Sequence, residues 1–253
     1  MKLAVAGKGG SGKTSISGTM ARLMARRGYD VLAIDGDSNP NLALTLGIPV
    51  ARIDELPTLP RDLLRRTESG GAELTKTLDE ISATHSLAGP DGVKLLVMAH
   101  PEHAGTGCLC GMHATVRSLI EVAGSAEEEV CILDTEASPE HLARGTAKYA
   151  DMMLAVVEPY FKSLETGRRM AVLGQDLGLE RIWLVANKVR SEDELAAVEE
   201  FAQGNGLELL GVVPYDEGMP DAERAGQAPL DFAPAGPGVA AIDELAGRLV
   251  ARG

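Results

Sequence analysis

Eight residues near the N-terminus have the types and spacing of a loop that binds phosphate: Gly7-Lys8-Gly9-Gly10-Ser11-Gly12-Lys13-Thr14. They follow an apolar run typical of a strand and precede a helical pattern, which is the context that the GxxxxGK[ST] pattern requires. The glycines let backbone N–H groups turn inward around an anion at a helix N-terminus. In such a loop Lys13 reaches the terminal phosphates of a nucleotide, and the Thr14 hydroxyl contacts Mg²⁺. The predicted nucleotide-binding residues are Gly9, Gly10, Ser11, Gly12, Lys13, Thr14 and Ser15.

Two further predicted strands end in carboxylates, at Asp35-Gly36-Asp37 and at Asp134. The carboxyl ends of parallel strands face the crevice in which ligands bind. Asp134 follows an apolar run and is placed to hold a water molecule on Mg²⁺. Side chains two residues apart share a face of a strand, so Asp35 and Asp37 point the same way if the backbone stays extended. An alternative interpretation has Asp37 or Asn39 capping a helix that starts at Leu42.

A third cluster lies within residues 100–113, which hold three of the five histidines and two of the three cysteines. The thiolates of Cys108 and Cys110 suit soft or borderline cations such as Ni²⁺ and Zn²⁺. One CxC pair supplies only two of the four ligands of a closed thiolate site, whereas a two-fold contact between two copies would bring four sulfurs together. Two alternatives stay open. His103 and His113 complete a site within one chain, or the cysteines only pack in a tight glycine-rich loop.

The elements that must position these side chains alternate along the chain. Continuous apolar runs, typical of strands buried on both faces, alternate with helical patterns. The predicted strands are Leu3–Ala6, Val31–Asp35, Val93–Ala99, Val130–Asp134, Met152–Val157, Ile182–Ala186 and Leu209–Val213. The predicted helices are Thr14–Arg27, Thr115–Ala123, Pro139–Tyr149, Leu164–Leu177, Glu192–Gln203 and Gly238–Ala251. The pattern predicts a three-layer α/β fold, with a mainly parallel sheet of seven or eight strands flanked by helices.

Length and composition indicate the number of domains, the partners and the location of the protein. With 253 residues, of which 45% are hydrophobic, the chain fits one domain, 1–253, with an irregular helical insertion at 54–88 outside the sheet. The net charge of −13, without a long basic run, argues against a nucleic-acid partner. No apolar stretch approaches the ~18–20 residues of a membrane span, which argues against a membrane partner. An odd cysteine count without a signal peptide predicts a reducing, cytoplasmic location, with Cys131 in the core.

Lys8, which the loop has in addition to Lys13, is the basis of a resemblance to a known family. With Lys8 the loop reads KGGxGK[ST], which resembles the deviant Walker A ATPases, a group that includes the Min and Par positioning ATPases and the nitrogenase iron protein. The resemblance implies that Lys8 crosses to the nucleotide of a partner subunit in an ATP-bound dimer, an electrostatic role in trans. It also implies that Asp37 orients the attacking water and that Asp35 belongs to the Mg²⁺ shell. The alternative is that Lys8 is a solvated lysine near the phosphates.

The adenine end of the site is expected where two late strands end. Asn187 ends one strand and Pro214 the other, and an amide at a strand end offers both a donor and an acceptor to a purine. Relatives in the resembling group use such an asparagine and the loop after the last strand to hold adenine. Arg190 stands where the guanine-specific NKxD pattern has aspartate, which favours ATP over GTP.

A closer resemblance rests on three stretches: the glycine-led Cys108-Leu109-Cys110, residues 136–146 and residues 157–166. Together they are similar to the CooC-type ATPases, the nickel-insertion accessory group of carbon monoxide dehydrogenase. The resemblance implies an ATPase that uses ATP and Mg²⁺ and forms an ATP-dependent homodimer. It further implies Ni²⁺, or Zn²⁺, bound between subunits by Cys108 and Cys110 for delivery to carbon monoxide dehydrogenase or a similar metalloenzyme. Glu136 and Glu140 are interpreted as switch residues, and His141 as structural.

Two other classes of protein remain as alternatives. A ParA/MinD-like positioning ATPase would use its dimer to act on DNA or membrane, and it would need a basic or amphipathic surface that the sequence does not show. An iron–sulfur electron carrier like the nitrogenase iron protein would need a further cysteine beyond Asp134, and the chain has none there.

Overall fold

The structure is a computed structural model that describes residues 1–55, 57–60, 62–67, 72–98, 110–124 and 126–252. Its strands are β1 Lys2–Gly7, β2 Asp30–Gly36, β3 Leu64–Arg66, β4 Ala72–Leu74, β5 Leu87–Ala88, β6 Lys94–Val97, β7 Glu129–Thr135, β8 Met152–Val157, β9 Ile182–Val189 and β10 Glu208–Pro214. Its α-helices are α1 Lys13–Arg26, α2 Leu42–Thr45, α3 Leu78–His85, α4 Cys110–Val122, α5 Glu140–Ala143, α6 Phe161–Asp176, α7 Glu192–Gly204, α8 Gly218–Arg224, α9 Pro229–Phe232 and α10 Pro237–Val250. Two short 3₁₀ helices span Val50–Glu55 and Pro90–Gly92.

The main sheet has eight strands in the order β10-β9-β8-β1-β7-β2-β6-β5. All neighbouring pairs are parallel except β5 with β6, which is antiparallel. Parallel strands need crossover connections, and here helices supply most of them. The carboxyl ends of β1, β2 and β7 therefore lie side by side, with Asp35 opposite Asp134 in the register of β2 and β7.

Helices cover both faces of the sheet because its strands are apolar on both. Leu3 and Val5 of β1 belong to the buried cluster that contains residues of α1 and α10. Ala4 and Ala6, which point to the other face, belong to the cluster that contains residues of α4. This alternation within one strand follows from the two-residue period of side chains in extended backbone. The predicted three-layer α/β fold with a mainly parallel sheet is confirmed.

Two predictions about local structure need correction. Pro139–Tyr149 was predicted as a helix, but only Glu140–Ala143 is helical and residues 144–149 form turns. Gly145 has φ of 74°, the left-handed conformation that ends helices, so the residues after it do not continue the helix. The helix predicted to begin at Thr115 begins five residues earlier, at Cys110.

The segment 54–88 is more varied than the predicted irregular helical insertion. It contains the antiparallel pair β3 and β4 as well as α3, whose N-terminus has a capping box between Thr77 and Glu80. Its end, β5, joins the edge of the main sheet instead of lying outside it. Strands of two or three residues are too short for periodicity to reveal. Within the described ranges, no helix combines the length and apolarity that crossing a bilayer would demand.

Candidate nucleotide site and its switch segments

The glycine-rich loop joins β1 to α1 and is shaped by two left-handed residues. Gly10 has φ of 81° and Gly12 has φ of 94°, and the N–H of Ser11 donates to the carbonyl of Lys8 at 3.1 Å. The Nδ2 amide of Asn187 donates to the carbonyl of Ser11 at 2.7 Å and holds the loop from the end of β9. The hydroxyl of Ser11 is buried without a hydrogen-bond partner among the described residues. The loop has the form of an anion site at a helix N-terminus.

Replacing Gly12 by alanine is expected to weaken nucleotide binding by at least about tenfold, because a Cβ there would lie 2.1 Å from Nδ2 of Asn187. The matched control is Gly178→Ala, since Gly178 has a similar φ of 89° but nothing within 4 Å of the added Cβ. Both variants carry the strain of positive φ, so only their difference reports the clash. Isothermal titration with ATP and Mg²⁺ measures it, and equal affinities for the two variants would contradict the prediction.

The carboxylate of Asp134 lies beneath the loop and is almost completely buried, with 1% exposure. It accepts hydrogen bonds from the Thr14 hydroxyl at 2.6 Å and from the Ser17 hydroxyl at 3.2 Å. Lys13, 6% exposed, places its Nζ 3.5 Å from the carbonyl of Lys8. Thr14, Asp134 and Lys13 are thus brought together as the sequence predicts, whereas no pattern in the sequence indicated Ser17.

Asp35 has a structural task that the sequence did not reveal. Its carboxylate accepts backbone N–H bonds from Asp37 at 3.1 Å, from Asn41 at 3.0 Å and from Leu42 at 2.9 Å. Asp35 therefore accepts hydrogen bonds from backbone N–H groups at the start of α2. The alternative interpretation of the sequence assigned this capping role to Asp37 or Asn39. Asp37 instead accepts from the N–H of Asn39 at 2.9 Å and is partly exposed at the mouth of the site.

The two buried carboxylates, Asp35 and Asp134, are neighbours in the register of β2 and β7. Burial, followed by repulsion from Asp35, raises the pKa of Asp134 to about 7. Burial likewise raises the pKa of Asp35 to about 6, against the lowering effect of its backbone hydrogen bonds. Burial also lowers the pKa of Lys13, which the charges of Asp134 and Asp37 oppose. Two buried carboxylates beside a single lysine supply oxygen ligands that fit a hard divalent cation such as Mg²⁺.

Asp134→Asn is expected to stabilise the nucleotide-free chain in EDTA at pH 8 by about 1 kcal/mol or more. The folded pKa of about 7 lies above the unfolded value of 3.8, so ionisation at neutral pH opposes folding. The cost is absent below pH ~4, where both states are protonated, grows between pH ~4 and pH ~7, and is complete above pH ~7. Urea unfolding at pH 4 and pH 8 measures it, with Glu200→Gln on α7 as an exposed control. A variant less stable than wild type at pH 8 would contradict the prediction.

Lys8 is held within its own subunit by a polar chain that sequence reasoning missed. Its Nζ donates to the Tyr160 hydroxyl at 3.3 Å and lies 5.5 Å above the ring. The Tyr160 hydroxyl donates to Glu158 at 2.9 Å, and Glu158 pairs with Lys188 at 3.0 Å. Lys188, with φ of 61°, also donates to the carbonyl of Gly10 at 2.5 Å. The positive φ of Lys188, the residue after Asn187, is visible only in the fold.

The end of the site predicted for adenine is formed by the carboxyl ends of β9 and β10. Asn187 and Pro214 both lie there, but the amide N–H of Asn187 is already engaged with the loop. The guanidinium of Arg190 stacks 3.4 Å from the ring centre of Tyr215, next to Pro214. The arrangement offers a flat, partly exposed surface beside the loop, and neither Arg190 nor Tyr215 was predicted to contribute to it.

The cysteine cluster is only partly within the described residues. Cys108 and His103 lie outside them, and Cys110 is the first residue of α4. His113, one turn further, is 2% exposed and lies against the segment after β7. Cys131 is buried in β7, as predicted, and burial raises the pKa of its thiol to about 12. His141 is 1% exposed, and burial lowers its pKa to about 3.

Comparison with known proteins agrees with this geometry. Residues 2–230 match the CbiA family, the CobQ/CobB/MinD/ParA nucleotide binding domain. The chain is 37% identical over 243 residues to the carbon monoxide dehydrogenase accessory protein CooC of Rhodospirillum rubrum, covering 93% of this chain and 91% of that protein. It is also 37% identical to an uncharacterised ATP-binding protein of Methanocaldococcus jannaschii, with 90% of each chain covered.

Solved structures share the fold. The septum site-determining protein MinD of Pyrococcus horikoshii, complexed with Mg-ADP, superposes with a TM-score of 0.73 over 98% of this chain and 94% of that one. Its sequence identity is only 18%, so the likeness concerns the fold alone. The resemblance that the loop and the CxC stretch suggested is confirmed by the family match and the identity to CooC. The chain belongs to the CobQ/CobB/MinD/ParA nucleotide-binding family, within which it is a CooC-type ATPase.

Proposed function

We propose that this ATPase forms a homodimer with ATP, carries a divalent metal ion between its subunits, and delivers that ion to carbon monoxide dehydrogenase or a similar metalloenzyme. The metal is Ni²⁺, with Zn²⁺ able to occupy the same ligands. One combination carries the proposal: the ammonium group of Lys8 contacts Tyr160 and not its own phosphate loop, and the CxC pair supplies half of a four-thiolate site. Each feature is completed by a second copy of the chain.

In the proposed reaction the loop holds the phosphates of ATP through its backbone N–H groups, and Lys13 neutralises the terminal phosphates. Thr14 and Asp134, which share a hydrogen bond, would hold Mg²⁺, and Asp35 on the neighbouring strand would belong to its shell. Bound there, Mg²⁺ would neutralise charge on the phosphate oxygens. Asp37, partly exposed beside Asp35, would orient the attacking water. Asn187 and Pro214 would border the adenine.

Lys8 would act on the partner's nucleotide. Its contacts with Tyr160 involve a side chain that is 42% exposed, so they are weak and reversible. Released from Tyr160, the ammonium group can extend to a second subunit that faces the loop. There it would stabilise the charge that develops on the transferred phosphoryl group, as an arginine finger does.

The metal cargo would be bound by Cys108 and Cys110 from both subunits. Four thiolates form a closed site for a borderline cation, and metal binding would then stabilise the dimer. Because ATP also favours the dimer, nucleotide and metal would each raise the other's affinity, and linkage makes the two effects equal.

The proposal is tested by measuring mass and metal content together. Sedimentation equilibrium of the nickel-loaded chain with ATP and Mg²⁺ is expected to give twice the monomer mass of 26.5 kDa, with one nickel per dimer by elemental analysis. A monomer under these conditions, or nickel bound at one or more per chain, would sink the proposal. Cosedimentation with DNA or liposomes in ATP would instead support a positioning ATPase. A broad visible absorption after anaerobic purification would support an iron–sulfur carrier.

A further inference from the structure

The start of α6 carries two adjacent aromatic side chains that the fold leaves exposed. Phe161, the first residue of the helix, is 73% exposed, the largest fraction among the large hydrophobic side chains that the structure describes. Tyr160, which precedes the helix, is 42% exposed. Single exposed hydrophobic residues are normal, whereas neighbouring exposed aromatics are typical of surfaces that contact another protein. The pair is therefore a candidate contact surface.

Backbone hydrogen bonds hold this surface in place. The N–H of Tyr160 donates to the carbonyl of Glu158 at 2.7 Å, and the carbonyl of Tyr160 accepts from the N–H groups of Ser163 and Leu164 at 3.0 and 3.1 Å. The N–H of Glu158 donates to the hydroxyl of Ser163 at 2.9 Å. An ordered backbone loses little conformational entropy on binding, so the pair is presented in a form ready for a partner.

Lys8 indicates which partner covers the pair. Its Nζ donates to the Tyr160 hydroxyl at 3.3 Å and lies 5.5 Å from the ring centre. In the proposed function this ammonium group must reach the nucleotide of a second copy. A surface that touches Lys8 in the free subunit then faces that second copy as well. The occupant is thus another copy of this chain and not the client metalloenzyme.

The local charge also favours a second copy at this place. Each chain has a net charge of −13, so two copies repel each other unless they meet where the local charge is not negative. Here the ammonium groups of Lys8 and Lys188 share one polar chain with a single carboxylate, that of Glu158. Both oxygens of Glu158 are engaged, one by Lys188 and one by Tyr160. The excess of one positive charge attracts the phosphates that a second copy brings.

We infer that Phe161 and Tyr160 form the surface on which a second copy docks, with Phe161 as its apolar anchor, and that docking separates Lys8 from Tyr160. The inference rests on the proposed function, because it assigns the contact surface of the proposed dimer. The ammonium group exchanges a neutral hydroxyl for an anionic phosphate oxygen, which is the stronger acceptor. In a two-fold contact each of these side chains occurs twice.

Phe161→Ser tests the anchor. Sedimentation equilibrium of the nickel-loaded chain with Mg²⁺ and a non-hydrolysable ATP analogue gives the dimer dissociation constant. The substitution is expected to raise this constant at least about tenfold, because each dimer loses two anchors. The monomer should bind the analogue with an affinity within about twofold of wild type, because Phe161 lies outside the loop. Urea unfolding should be unchanged, because the side chain is mostly exposed.

The matched control is Phe232→Ser on α9. Phe232 is also exposed, at 42%, and its neighbour Asp231 pairs with Arg22 in the second half of α1, away from the loop. This variant should dimerise like wild type. A Phe161→Ser chain that dimerises as tightly as wild type would overturn the inference.

Tyr160→Phe tests the release of Lys8, because it keeps the ring and removes the hydroxyl that holds the ammonium group. The dimer is expected to become at least about fivefold tighter, since two such hydrogen bonds no longer have to be broken. The control is Tyr215→Phe, which removes a hydroxyl that likewise donates to a glutamate, Glu217, and should leave the dimer unchanged. A Tyr160→Phe chain that dimerises no more tightly than wild type would show that Tyr160 does not withhold Lys8.

The same measurements separate this inference from the proposed function. If wild type stays monomeric with the ATP analogue, both are wrong. If wild type dimerises but holds nickel at a ratio other than one per dimer, the proposed cargo is wrong, and Phe161→Ser still decides the docking surface. If wild type forms the nickel-bound dimer and Phe161→Ser forms it equally well, only the inference fails.

Discussion

Lys8→Ala is expected to lower the rate of ATP hydrolysis about 1,000-fold while leaving ATP affinity within a few-fold of wild type. The physical reason is that Lys8 contributes no contact to its own loop beyond its backbone, since its ammonium group lies on Tyr160. A cation that reaches the phosphates only in the dimer stabilises the transition state more than the bound substrate. Phosphate release and equilibrium binding of ATP measure the two quantities separately. Lys162→Ala is the matched control, because Lys162 is an exposed lysine two residues from Tyr160.

Mixing variants decides whether Lys8 acts in trans. Lys13→Ala removes the lysine of the loop, and Lys8→Ala removes the lysine offered to the partner, so each alone should be nearly inactive. In a mixed dimer, Lys8 of one chain can serve the intact loop of the other, and activity should return. No recovery in a sample shown to contain mixed dimers would mean that Lys8 acts within its own subunit.

The double variant Cys108→Ser/Cys110→Ser is expected to lose nickel binding, with affinity reduced at least about 1,000-fold. Serine keeps the size of the side chain but replaces a soft thiolate by a neutral hydroxyl, which is a poor ligand for nickel. ATP affinity of the monomer should stay within a few-fold of wild type, because neither residue belongs to the loop. Equilibrium dialysis against nickel followed by elemental analysis gives the affinity and the ratio of metal to chain.

Cys131→Ala is the control for loss of a cysteine as such. Cys131 is 1% exposed in β7, and a thiol with so high a pKa is a poor metal ligand, so nickel binding should persist. If the Cys108→Ser/Cys110→Ser chain bound nickel at the wild-type ratio of metal to chain, the CxC pair would not be the nickel site. That result would favour a histidine-based site within one chain, the arrangement that the sequence left open.

Much of the architecture could be predicted because it rests on local patterns. The seven predicted strands follow from continuous apolar runs, and each appears in the sheet with boundaries within a few residues. The positions of the loop, of Asp35 and of Asp134 follow from their places at strand ends. What failed was also local: the helix after Pro139 ends at Gly145, and β5 is too short to carry a period.

The sequence by itself determined the chemistry that is encoded by residue type and spacing: a phosphate loop with two lysines, carboxylates for a cation, and a pair of thiolates. Only the tertiary structure decided which other groups each of these contacts. It brings the ammonium group of Lys8 to the hydroxyl of Tyr160 and the carboxylate of Asp35 to the N–H groups at the start of α2. It also brings His113 close to the carboxylate of Glu136. Such contacts join residues up to 152 positions apart and depend on strand order and register, which no local pattern specifies. Local periodicity fixes which residues are buried, but the packing of the elements fixes which buried groups touch.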